Sequence, residues 1–261
     1  MTGTDTDTDA AVEHVVVGGV DSHAGTIHVA VVTDRGGQLA DAEFPTTAAG
    51  YRAALAFLAA HGTVAAIGVE GTSSYGAGFT RAAREANLTV IEVNRPDKAE
   101  RRRIGKSDPI DAYAAARAVV SGRASSMPKG DAIAGIRALH NAARSAVKAR
   151  TAALNQIGHI LISAPDSIRT KYEVLRGDRR IDALVRLRIS GDPVLIALRS
   201  LAQRVKNLTA EHTALTAELD VLVTQLNPGL RAAFGVGPDT AAQLLITAGD
   251  NPVRLRTEAS F

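Results

Sequence analysis

The stretch EHVVVGGVDSHAGTIHVAVVTDRGGQLADAEFP, residues 13–45, decides the fold. EHVVVGGVD is rich in β-branched residues, ends on Asp21, and reads as a buried strand. TIHVAVVTDRGGQLADAEFP continues as two alternating strands joined at Arg35-Gly36-Gly37, so the chain opens with a three-strand meander. Further on, TAAGYRAALAFLAAHG carries helical periodicity and stops at Gly62. VAAIGVEG is another buried strand with Glu70 at its end, YGAGFTRAAREAN is a second helix, and LTVIEVN is a fifth strand. The order β-β-β-α-β-α-β, then helix, predicts a mixed α/β sheet with helices on its faces over residues 14–124.

The rest of the chain changes character. SGRASSMPKGD, residues 121–131, is rich in small residues and reads as a domain boundary, after which no strand pattern recurs. Ile136, His140, Ala143, Val147, Arg150, Leu154, Ile157 and Leu161 follow three-four spacing. A second series runs Leu198, Leu201, Val205, Leu208, His212, Leu215, Leu219, Leu222 and Leu226. Residues 131–227 are therefore expected to form a helical coiled-coil region that associates with a second copy, with two helices packed inside one monomer as the simpler alternative. Residues 228–261 read as the start of a further helical domain. Its Phe234-Gly235-Val236-Gly237-Pro238 resembles a helix-hairpin-helix turn whose backbone N–H groups, around Gly235 and Gly237, can receive a phosphate.

Composition narrows the function. The 261 residues are ample for a core, and the absence of cysteine excludes disulfides, thiolate metal sites and cysteine nucleophiles. The opening MTGTDTDTDA, within an acidic tail expected to be disordered over residues 1–13, has neither the basic start nor the apolar core of a signal peptide. No stretch is long and apolar enough to span a bilayer, so a soluble cytoplasmic protein is expected. The net charge of +3 hides an asymmetry, because residues 137–206 hold 14 Lys/Arg against 5 Asp/Glu. A basic middle of this kind suits a polyanion such as nucleic acid, although a solvated helical surface has the same composition.

Four acids stand out. Asp21 and Glu70 close strands one and four, which are neighbours in ribonuclease-H-like folds. Asp108 and Asp111 in KSDPID are three apart, on one side of a helix. Two readings of KSDPID stand side by side. In one, Asp108 caps the helix, Pro109 takes its first turn and Asp111 reaches back to the backbone. In the other, the four carboxylates converge to hold a pair of hard divalent cations for phosphodiester chemistry. The basic run RPDKAERRRIGK just before them, with Arg95, Lys98, Arg101, Arg102, Arg103 and Lys106, would then bind the phosphate chain.

The segments VVGGVDSHAGTIHVAVV, AAIGVEGTSSYG, VIEVNRPDKAERRRIGKSDPIDAYAAARAV and FGVGPDTAAQLLITAGD resemble, in order, the DEDD transposases of the insertion-sequence 110 group, the bridge-RNA-guided recombinases. The resemblance implies an amino-terminal RuvC-like domain, a coiled coil that pairs protomers into a homodimer or higher oligomer, and a carboxy-terminal transposase domain with a nucleophilic serine. It also implies DNA and a structured guide RNA as partners, with Asp21, Glu70, Asp108 and Asp111 as the catalytic tetrad that holds Mg2+ or Mn2+. The family's serine lies downstream of Ala259-Ser260-Phe261, so Ser260 is a poor match and a chain truncated at its carboxy terminus is expected. Two other readings remain: a catalytically silent nucleic-acid-binding remnant that dimerises, and an actin-like ATPase or sugar kinase, whose phosphate loop GVDSHAGTIHVAVV also resembles.

Overall fold

A computed structural model of the chain describes residues 14–94, 107–188 and 191–249. Two compact units divide between Lys129 and Gly130.

The first unit is built on one five-stranded sheet. Its strands are β1 (Val15–Ser22), β2 (Thr26–Thr33), β3 (Gln38–Pro45), β4 (Thr63–Glu70) and β5 (Val90–Val93), in the order β3-β2-β1-β4-β5. β1, β2 and β3 form the antiparallel meander expected from residues 13–45. β4 runs parallel to β1, and β5 parallel to β4. With helices α1 (Ala48–Ala59), α2 (Ala77–Glu85) and α3 (Asp108–Val120), this is a mixed α/β arrangement of the ribonuclease-H-like kind.

Strand alternation sorts the central residues onto two buried faces. Val16, Val20, Ile27, Val29, Val31, Ile67 and Val69 pack with Leu58 of α1 and Phe79 of α2. Val17, Ala30 and Val32 pack with Ala112, Tyr113 and Ala116 of α3 on the other face. Two glycines set how closely α3 lies on the sheet. Gly19 and Gly68 are register partners on β1 and β4. A Cβ at Gly19 would press into Ala112 O and Ala116 N, and one at Gly68 would lie 2.6 Å from Ala115 O. Only glycine admits the helix backbone at that distance. Two side chains then tie α3 to the meander: Tyr113 donates from its hydroxyl to Asp41 Oδ1 at 3.1 Å, and Arg117 Nε to Gly36 O at 3.3 Å. Asp41 Oδ2 is in turn 2.7 Å from His28 Nε2.

The second unit, Gly130–Gly249, is helical: α4 (Asp131–Ser163), α5 (Asp166–Glu173), α6 (Gly177–Val185), α7 (Pro193–Leu226), α8 (Pro228–Ala232) and α9 (Pro238–Ala248). α4 and α7 run antiparallel within one chain. Ala153, Ile157 and Leu161 near the end of α4 meet Leu198, Ala202 and Val205 near the start of α7, and Ile136 meets Leu219 and Val223 at the opposite end.

The two apolar stripes differ in detail from the sequence expectation. Ile136, His140, Ala143, Ile157 and Leu161 are buried, but Ala153 replaces Leu154, which is 40% exposed. On α7, Ala202 and Val223 are buried, Leu201 and Leu222 only half so, and Leu226 is exposed. A straight α-helix drifts by about 20° per heptad against a 3.5-residue repeat, which moves the contact line off the heptad positions. Leu208, His212 and Leu215, mid-stripe, are half-buried.

Candidate metal centre

The sheet carries two of the four acids to one edge. Val20 and Val69 are the last register partners of β1 and β4, and Asp21 and Glu70 follow them directly. Both face α3, because they stand two residues beyond Gly19 and Gly68. Both are buried, and Ser22 Oγ donates to Glu70 O at 2.9 Å, fastening the two strand ends.

α3 brings the others. Its N-cap is Ser107, which makes no side-chain capping bond, and Pro109 sits in the first turn. The capping arrangement with Asp108 as the cap is therefore not formed, and the Asp108 carboxylate turns instead toward the strand edge. There Asp108 Oδ1 lies 3.3 Å from His23 Nε2, and that nitrogen lies 3.1 Å from Asp21 Oδ2. One donor atom from each of Asp21, His23 and Asp108 falls within 4.8 Å of the others. Glu70 and Asp111 stand outside this tight group but within electrostatic reach. Burial pushes the Asp21 carboxyl above its usual range, His23 pulls it down, and Glu70, Asp111 and Asp108 each push it up. The chain thus gathers three further carboxylates around the buried one of Asp21.

His23 went unnoticed in the sequence, where a single histidine in a turn forms no pattern. Its one signal is position, two residues after a strand-ending acid.

A model of the DEDD transposase family of the insertion-sequence 110 group matches residues 18–164, more than half of the chain. The chain belongs to this family. No curated protein matches it. The matched span contains all four acids and His23.

Membership of a DEDD transposase family implies use of a divalent metal, and the residues fit one. The donors are carboxylate oxygens and one imidazole nitrogen, both competent ligands for divalent ions. The His23 ring is partly exposed, but its Nε2 is buried against the Asp21 and Asp108 carboxylates without meeting hydrogen-bond geometry to either. The crowding that raises the Asp21 pKa would be relieved by a bound cation.

The nucleic-acid contacts expected at Arg95, Lys98, Arg101, Arg102, Arg103 and Lys106 fall outside the described residues, as does Ser260. Gly235 and Gly237 lie in a turn between α8 and α9. Gly235 has φ +79°, and Gly237 is the N-cap of α9 with no side-chain capping bond. Phe234 beside them is fully exposed. Nearby, Arg144, Val147 and Lys148 of α4, His212 of α7, and Asp239 and Gln243 of α9 line a groove of about 500 Å³. Arg144 and Lys148 form no ion pair with a described residue, whereas Asp239 Oδ1 is 3.0 Å from Nε2 of the buried His140. No helix among the described residues is long and apolar enough to cross a membrane.

Proposed function

We propose that this chain supplies the divalent-metal centre, Asp21, Glu70, Asp108 and Asp111, of the recombinase of a mobile insertion sequence. That recombinase cleaves and exchanges DNA strands under the direction of a structured guide RNA and draws its nucleophilic serine from beyond Phe261. The observation that carries the reading is the buried Asp21, at the end of the sheet's central strand, under the charge of the other three acids. Mg2+ or Mn2+ at such a centre supplies charge stabilisation to the attacking and leaving oxygens of a phosphodiester exchange. The chain's own residues do the positioning. β1 and β4 hold Asp21 and Glu70 on a rigid sheet edge, and α3, seated on Gly19 and Gly68, holds Asp108 and Asp111 over it. The basic run before Asp108 draws the phosphate backbone toward the acids. Incubating the whole chain with guide RNA and DNA bearing the ends of its own element should give strand breaks that need Mg2+ or Mn2+. Breaks that persist in Asp21→Ala, or without any divalent ion, would contradict the reading.

The helical unit supports the nucleic-acid side of this function. We infer that the Arg144–Lys148 groove beside the Gly235–Gly237 turn receives a phosphate, since its two cations, one helical turn apart, form no ion pair with a described residue. Each phosphate neutralised steepens the fall of log K with log salt by about 0.9 on duplex DNA. Arg144→Ala/Lys148→Ala is therefore expected to weaken binding at low salt and flatten the slope by about 1 to 2, and an unchanged slope refutes the contact. The half-buried Leu208 and Leu215 are where a second copy would pack. Sedimentation should give a dimer for the parent and a monomer for Leu208→Asp/Leu215→Asp, and a monomeric parent removes the idea.

A further inference from the structure

We propose that His23 is a nitrogen ligand of the metal centre and biases it toward manganese over magnesium. The inference rests on the reading of the acids as a metal centre and adds a residue and a metal preference to it.

Three observations carry it. First, Nε2 of His23 stands between two carboxylates from different elements, 3.1 Å from Asp21 Oδ2 on β1 and 3.3 Å from Asp108 Oδ1 on α3. Three donor atoms within 4.8 Å of one another are close enough to share one ion. Second, this nitrogen is buried but aligned in no hydrogen bond, so the contacts to the two carboxylates are ones of proximity rather than of directed bonding. A lone pair so placed has a use if a cation sits between the three groups.

Third, the backbone that carries the ring is held in place. His23 N–H donates to Thr26 O at 2.9 Å across the turn from β1 to β2. The next two carbonyls are also engaged: Ala24 O accepts from Thr46 Oγ1 at 2.8 Å, and Gly25 O from Thr46 N–H at 3.0 Å. The backbone that presents the imidazole is thus a fixed turn, so little main-chain ordering remains to be done on binding.

The chemistry then sets the preference. Mg2+ is a hard ion that favours oxygen donors and keeps several waters, whereas imidazole suits the transition metals, and affinity at a mixed N/O site rises from Mn2+ onward along the first-row series. A centre of carboxylates alone serves Mg2+ and Mn2+ alike, while one imidazole among them favours Mn2+. An imidazolium in the same place would serve only as a counter-charge to the carboxylates, and the experiment separates these roles.

The test uses the whole chain loaded with Mn2+ and examined by pulsed electron paramagnetic resonance, beside competition titrations of Mn2+ against Mg2+. The parent should show echo modulation from one directly bound nitrogen. In His23→Ala, Mn2+ should still bind through the carboxylates but without that modulation, and its advantage over Mg2+ should fall about tenfold. Bound Mn2+ with no nitrogen coupling in the parent, or coupling that survives in His23→Ala, overturns the role of His23 and leaves the acidic centre standing. Failure of the parent to bind Mn2+ at all overturns both.

Discussion

Without divalent ions, Asp21→Asn melts above the parent at neutral pH, and it does not gain the stability that Mg2+ or Mn2+ gives the parent. The first half follows from the sign of the Asp21 perturbation. Burial, with Glu70, Asp111 and Asp108, raises its pKa in the folded state, against a smaller downward pull from His23. A group whose folded pKa is raised contributes stability below its unfolded pKa, and that contribution is lost as pH rises through the folded value. The metal-free parent therefore loses stability from the ordinary aspartate range upward, and at neutral pH it bears an ionised, crowded carboxylate. Asparagine removes the charge and the pH dependence with it. The second half follows from linkage. An ion at about one hundred times its Kd adds about 2.7 kcal/mol, which is on the order of 10 °C for a unit of this size. Removing a carboxylate from the centre of the cluster abolishes most of that gain. Melting scans from pH 4 to pH 8, with and without 10-fold steps of Mg2+, check both halves. A variant that melts below the parent in the absence of metal and still gains the full shift would contradict the assignment.

Gly19→Ala is expected to be among the costliest single methyl additions in the first unit. The added Cβ meets Ala112 O and Ala116 N, the backbone of α3, which cannot rotate aside. Overpacking costs about 1 to 3 kcal/mol where side chains can adjust, and a backbone clash belongs at or above the top of that range. The melting temperature should fall by roughly 10 °C. The metal-induced shift should shrink as well, because lifting α3 off β1 carries Asp108 and Asp111 away from Asp21. Gly18→Ala is the control. Its Cβ would point to the opposite face and meet Leu58 Cδ2 at 2.8 Å and Ile67 Cγ2 at 3.2 Å, which are side-chain ends that can give. Equal losses in the two variants, or a loss under about 2 °C in Gly19→Ala, would show that α3 does not depend on the glycine floor.

The sheet was legible in the sequence because β1, β2 and β4 are short apolar stretches rich in β-branched residues and the turns carry glycine. That Asp21 and Glu70 should be neighbours followed from taking the β-β-β-α-β order as ribonuclease-H-like, where strand four enters beside strand one. The glycine floor was not legible: Gly18 and Gly19 interrupt an apolar run in the same way, and only the register with Gly68 and the approach of α3 distinguish Gly19. KSDPID was ambiguous for a physical reason, because an acid before proline suits a helix start as well as it suits a metal. In the structure Ser107 stands at the cap, and Asp108 Oδ1 lies 3.3 Å from His23 Nε2. The helical stripes were read correctly as amphipathic but at slightly wrong positions. Heptad spacing assumes supercoiled helices, and α4 and α7 bury Ala153, Ala202 and Val223 in place of larger neighbours.

Acids from β1, β4 and α3 form, on the proposed reading, one divalent-metal centre. The most direct measurement is calorimetric titration of Mg2+ and Mn2+ into the parent and into Asp21→Ala, Glu70→Ala and Asp108→Asn, with circular dichroism to establish that each is folded. The predicted result is saturable binding to the parent that weakens about a hundredfold or more in every variant, a loss of about 2.7 kcal/mol. Folded variants that bind both ions as the parent does would contradict the claim.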